Sequence, residues 1–221
     1  ESAPQAETVE YVFPAREDLP GVAMPEVKVY WYDGGLLPMR ADIIPDKENL
    51  MEDGMGGCLF VGSKDSILCN TGGLKPRLLS GRVPGVPRKL RRVPGYDVSK
   101  YTDGPHEQDW IRACKESPGN RVLPSSHFGY SGPFNEMVLL GVLAVRLQSL
   151  NKSLEWDAGQ MRFANISDNE ELRVLVSKDF KVVGGHPRFN NQYERFNAAE
   201  TVKEYVKHTY RDGWDLPPMP G

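Results

Sequence analysis

Hydroxyl and imidazole groups crowd one short stretch of this 221-residue chain, Ser125-Ser126-His127-Phe128-Gly129-Tyr130-Ser131-Gly132. Ser, His and Tyr side chains each donate and accept hydrogen bonds, so such a loop set on rigid elements suits a ligand with several hydroxyls. The same residues suit a capping and turn segment. A second constellation, Trp31-Tyr32-Asp33-Gly34-Gly35, places aromatics beside a carboxylate at a strand end. There the rings can stack on a sugar while the acid accepts its hydroxyls. The plainer reading is packed aromatics with an aspartate that caps a turn. A third, the basic stretch from Arg77 to Arg92, reads as an anion site or as a solvated or subunit-wrapping arm. The candidate substrate-facing groups are Arg40, His127 and Tyr130, which lie on loops beside rigid elements and can donate to hydroxyls.

Other chemistries find less support. The histidines His106, His127, His186 and His208 are scattered without metal-ligand spacing, so no metal site is expected. No G-x-S-x-G elbow is present for a nucleophilic serine. The nearest approach to a dinucleotide fingerprint, Gly54-Met55-Gly56-Gly57, has Leu59 where the third glycine belongs and leads toward a strand. No helix N-terminus is then expected to face a pyrophosphate. A carboxylate pair for glycoside hydrolysis could be drawn from any of the 30 acidic residues, so it carries no weight. Cys58, Cys69 and Cys114 form no CxxC pair; Cys58 and Cys69 flank a hairpin and are expected as thiols.

The elements that must hold these groups follow from patterning. Val27 to Tyr32 alternates strictly and predicts a strand, with an entering strand near Tyr11 and Phe13. Residues 36–52 read as a loop, and Gly57–Val61 and Ser66–Cys69 as a hairpin turned at residues 62–65. Prolines between Leu74 and Tyr101 predict an extended arm. A helix opens at Asp103-Gly104-Pro105, with Trp110, Ile111 and Cys114 on one side, and stops at Pro118-Gly119. A second, largely buried helix is expected from after Pro133 to about Leu150, and a last one near Ala198–Tyr210. Short strands at residues 154–157 and 161–163 lie between them. Strands first, then helices, then short strands describe an α+β fold in one domain, 1–221, rather than a βαβ alternation.

Apolar residues at 39%, charged residues at 26% and a net charge of -3 describe an ordinary globular protein, with nucleic acid a poor partner. The longest apolar run, Met137 to Val145, is too short to span a bilayer and is interrupted by Gly141. No basic n-region opens the chain, so Glu1 reads as a processing point, an expression boundary or a cut within a longer protein.

Several segments in register resemble a known family. They are residues 29–35 with Pro38 and Arg40, Leu59–Asp65, and His106 followed by residues 110–115. Residues 128–133 with 136–141, Leu154–Asp157 and Tyr210–Trp214 complete the series. In this order they resemble the C-terminal domain of bacterial Gfo/Idh/MocA (glucose–fructose oxidoreductase-like) oxidoreductases, over about Val27 to Trp214. The resemblance implies a large, mainly antiparallel open sheet with helices on one face. It implies hydride transfer between NAD or NADP and a sugar, polyol or related hydroxyl compound, or the NAD-dependent glycosidase chemistry of one branch. It also implies a homo-oligomer through the open sheet face and a periplasmic in preference to a cytoplasmic location. The family's dinucleotide fold and catalytic lysine belong upstream, so no catalytic residue is assigned, and this chain alone is expected to bind no dinucleotide and to be inactive. Residues 178–197 depart from the pattern as an insertion of unknown role. The alternative is a non-catalytic carbohydrate-binding or scaffolding domain.

Overall fold

In the computed structural model, residues 4–16, 25–39, 44–48, 50, 56–73, 75–83, 105–207 and 210–215 are described. Arg40, His208 and the stretch holding Arg88, Lys89, Arg91 and Arg92 lie outside them. The chain divides into two compact units, one of Glu1–Leu36 with Phe128–Gly221 and one of Leu37–His127. Helices combine with antiparallel sheets throughout, as an α+β pattern requires. The described strands form four separate sheets of two or three strands each, rather than one large sheet.

The smaller unit is built on strands β3 (Gly57–Val61), β4 (Ser66–Asn70) and β5 (Arg77–Leu78). The Gly62 N–H donates to the Asp65 carbonyl at 3.0 Å and closes the β3–β4 turn. Cys58 and Cys69 stand directly opposite each other as free thiols, and burial with the neighbouring Cys69 pushes the Cys58 thiol up. Arg77 belongs to a paired strand rather than to an arm, and its guanidinium meets Glu48. Helix α1 (Pro105–Lys115) then runs to the proline stop. Its buried line is Asp109 and Ala113, one turn apart, while Ile111 and Cys114 are exposed and Trp110 is half-buried. The side that carries Trp110, Ile111 and Cys114 is thus not the buried one, because a carboxylate held in an ion pair takes the inner position.

The larger unit opens with β1 (Thr8–Phe13) against β2 (Val27–Tyr32). Helix α2 (Phe128–Arg146) starts at Phe128 rather than after Pro133, and the proline sits inside it. Its missing N–H orphans only the Gly129 carbonyl, in an exposed stretch open to water. The helix is also less buried than its composition implies. Gly141 is its one buried residue, and Phe134, Val138, Leu139 and Val142 are exposed. The reason is a narrow seat: Tyr11 of β1 lies against Gly141, where an added Cβ would stand 2.3 Å from the phenolic oxygen.

After α2 come β6 (Trp156–Asp157) and β7 (Arg162–Phe163), then a long hairpin of β8 (Glu171–Val183) and β9 (His186–Asn197), and helix α3 (Ala198–Val206). Leu147, Phe163, Leu172, Ala198 and Val202 form the core, with Leu140, Leu143 and Trp156 packed on it. The Asn197 side chain caps α3 by accepting from the Glu200 N–H. Residues 178–197 are therefore most of a β-hairpin. Gly184 and Gly185, at φ +61° and +81°, make the two-residue turn that suits the twist of its strands. No helix among the described residues is long and apolar enough to cross a membrane.

Candidate functional site

The polar stretch singled out by residue type straddles the two units. Ser125, Ser126 and His127 end the smaller unit, whereas Phe128 to Ser131 open α2 in the larger one. His127 is half-buried, and its backbone N–H donates to the Pro124 carbonyl at 3.2 Å, closing a tight turn. Tyr130 is exposed and stacks on Phe134 one helical turn later, ring centroids 6.3 Å apart.

What holds the Pro124–His127 turn is a buried carboxylate. Asp109 of α1 is 2% exposed. Its Oδ2 accepts the Ser125 N–H at 2.7 Å, and its Oδ1 accepts from Arg112 through Nη2 at 2.8 Å and Nε at 3.2 Å. Burial drives the Asp109 carboxyl up, but Ser125 and the Arg112 guanidinium together outweigh it and leave the group below the usual range. Arg112 also donates to Glu116 at 2.5 Å and to the Val122 carbonyl at 3.0 Å, while Glu116 accepts the Val122 N–H at 2.8 Å. Trp110 adds a further tie, its indole N–H donating to the Ser126 hydroxyl at 2.7 Å. Two successive serines are thereby tied to two successive helix residues.

This arrangement orients rather than reacts. The Asp109 carboxylate is committed to Arg112 and the turn, and Arg112 is shared between two carboxylates, which fits it poorly for gripping a phosphate. The turn supplies hydroxyl and imidazole groups that both donate and accept hydrogen bonds, a lining suited to a polyhydroxyl ligand. Asp109, Arg112 and Glu116 were legible as i, i+3 and i, i+4 ion-pair spacings along α1 and the residue after it, but only the fold shows Asp109 reaching across to Ser125.

At the second constellation, the Asp33 side chain accepts the Gly34 N–H and Gly34 and Gly35 take positive φ, so the aspartate caps the turn. Tyr30 and Trp31 remain exposed beside it. Gly57 enters β3 directly, so a strand rather than a helix N-terminus follows the glycines there. Among the described residues, no group of three or more His, Cys, Asp or Glu side chains is placed to hold a metal ion.

No known family model matches the chain, and no curated protein matches it significantly.

Proposed function

We propose that this chain is the substrate-facing half of an NAD(P)-dependent oxidoreductase of the Gfo/Idh/MocA type, acting on a sugar, polyol or related hydroxyl compound. The observation that carries the reading is the buried Asp109 carboxylate tying the hydroxyl- and imidazole-bearing turn to α1. The carboxylate holds the turn rigidly on the helix, which is what a preorganised lining requires. Such a group costs free energy unless fully paired, and here its pairing fixes a polar lining. The candidate substrate contacts are His127 and Tyr130, with Arg40 outside the described residues. The NAD or NADP belongs to a separate dinucleotide-binding domain, the strands join a larger sheet in the assembled enzyme, and the location is periplasmic.

Two measurements test this. The chain is titrated with a panel of monosaccharides, polyols and inositols while the His127 imidazole and Tyr130 ring signals are followed by NMR. Saturable shifts confined to those rings support the reading, and none across the panel overturns it. The longest encoded form is then incubated with NAD or NADP and the sugars that bind. Accumulating reduced nicotinamide marks a dehydrogenase, and released sugar without it marks the glycosidase branch. Binding without turnover in either form leaves a carbohydrate-binding module and sinks the enzyme assignment.

A further inference from the structure

The β8–β9 hairpin is built like half of a larger sheet. All twelve residues of β9 are exposed, and among the described residues β9 pairs only with β8. The Gly184-Gly185 turn makes Val183 and His186 the first hydrogen-bonded pair of the ladder. Alternation then turns the backbone groups of Pro187, Phe189, Asn191, Tyr193 and Arg195 away from β8. Along this outer edge Pro187 alone lacks a donor. Long unprotected edges of this kind template pairing with another strand.

The sequence of β9 selects the partner. Read against its own reverse about Asn191, His-Pro-Arg-Phe-Asn-Asn-Gln-Tyr-Glu-Arg-Phe (186–196) is self-complementary. Arg188 falls opposite Glu194, Phe189 opposite Tyr193 and Asn190 opposite Gln192, each twice by symmetry. No like charges meet. Within one chain, by contrast, Arg188 stands opposite Lys181, an unfavourable cross-strand pair. A second β9 brings Glu194 to the other side of Arg188 and neutralises it. The edge of β8 is poorer for this purpose, since it carries a bulge between Leu175 and Ser177 and the lysines Lys178 and Lys181.

We infer that two copies of this chain associate through β9, paired antiparallel about Asn191, to form a continuous four-stranded sheet across a two-fold axis. The outward N–H and C=O groups of Phe189, Asn191 and Tyr193 are then satisfied across the axis, and the Arg195 N–H donates to the partner's Pro187 carbonyl. The Phe180 and Phe189 rings, with centroids 5.8 Å apart, extend into an aromatic stripe with the second copy's Tyr193. The association is independent of the carbohydrate reading, because it is measured with neither sugar nor cofactor present.

The test is sedimentation velocity on the chain over a concentration series, with charge-swapped variants. The wild type dimerises. Arg188→Glu sets two Glu–Glu contacts across the axis and weakens the dimer more than about tenfold, and Glu194→Arg does the same. The double variant Arg188→Glu/Glu194→Arg restores affinity to within about threefold of wild type, since both pairs are re-formed in reverse. Arg188→Glu also gains an opposite-charge neighbour in Lys181, so an unchanged far-UV spectrum separates lost pairing from lost folding. Amide exchange provides the second arm. Phe189, Asn191 and Tyr193 are protected in the dimer and lose protection on dilution. A wild type monomeric at every soluble concentration, single variants that dimerise normally, or a double variant that stays monomeric each overturns the inference.

Discussion

Replacing Asp109 with Asn removes a charge without changing size, and the geometry allows the amide no satisfactory orientation. The carboxylate faces donors on both sides, the Ser125 N–H at 2.7 Å and the Arg112 guanidinium at 2.8 and 3.2 Å. With the amide oxygen toward Arg112, its NH2 confronts the Ser125 N–H; flipped, it confronts the guanidinium. One charge-assisted hydrogen bond is lost and one buried donor meets another donor, together about 3 kcal/mol. Arg112 keeps Glu116 and the Val122 carbonyl, which holds the figure below that of a fully orphaned ion. Urea denaturation followed by Trp110 fluorescence reads this locally, because Trp110 is the one tryptophan between Leu37 and His127 and the other three can be changed to Phe. The pH dependence supplies the sign. The folded Asp109 carboxyl titrates below its ordinary value, so its stabilisation is present above the unfolded value, about pH 4, and is lost as pH falls through the folded value. The gap between wild type and Asp109→Asn must therefore narrow in acid. A gap under about 1 kcal/mol at neutral pH, or one that persists unchanged once the carboxyl is protonated, refutes the reasoning.

Other outcomes follow from single contacts. Gly141→Ala in α2 forces the new methyl to within 2.3 Å of the Tyr11 oxygen and destabilises by about 1–3 kcal/mol despite alanine's better helix propensity. In a Tyr11→Phe background the next atom, Cζ, lies at 3.5 Å, so the same change becomes neutral or gains up to about 1 kcal/mol in thermal denaturation. Glu170 is held below the usual carboxylate range chiefly by its hydrogen bond from Lys152, at 2.7 Å. Lys152→Met raises the Glu170 carboxyl toward its ordinary value in an NMR titration, and the stability it removes, about 1 kcal/mol or less, disappears as pH falls below the carboxylate range. His127→Ala weakens binding of any sugar found in the titration panel by about tenfold, since it deletes one hydrogen-bonding partner while the Pro124 carbonyl keeps its backbone donor. Affinity within twofold of wild type removes His127 from the pocket.

The strand at Val27–Tyr32 and the β3–β4 hairpin were readable because their information is local, whereas the long β8–β9 hairpin was read only as an insertion. Strict alternation in Val27–Tyr32 and the polar turn at residues 62–65 specify strands without reference to distant residues. Helix ends proved harder. Pro133 reads as a boundary only if the Gly129 carbonyl needs its partner, and in an exposed first turn it does not. The inner line of α1 was not legible for a related reason. Hydrophobicity points to Trp110, Ile111 and Cys114, but the inner line is Asp109 and Ala113, since a carboxylate matched by Arg112 and the Ser125 N–H can occupy a core position. At the candidate site, residue type pointed to the serines and His127, while the group that fixes them lies sixteen residues before Ser125. Spacing along a helix shows that Asp109 and Arg112 meet; it does not show that they meet a returning turn.

The β8–β9 hairpin shows how one extra residue can reverse a reading that periodicity makes look secure. Leu172, Val174, Val176, Phe180 and Val182 share a single period-two phase, and a regular strand would put all of them on the core side with the buried Leu172. The register shift between Leu175 and Ser177 changes the phase. Beyond it Phe180 and Val182 share a face with Phe189 and Pro187, opposite to that of Leu172, while Lys181, Arg188 and Asn190 continue the core-side face outward. The apolar stripe is thus carried from one side of the ribbon to the other as the hairpin leaves the body. Deleting Val176 keeps this phase, because Phe180 then lies seven regular steps from Leu172 and still faces Phe189. The deleted chain should therefore keep both its core around Leu172 and its dimer in sedimentation velocity. A weaker dimer would mean that the bulge itself, and not the face it selects, supports the pairing.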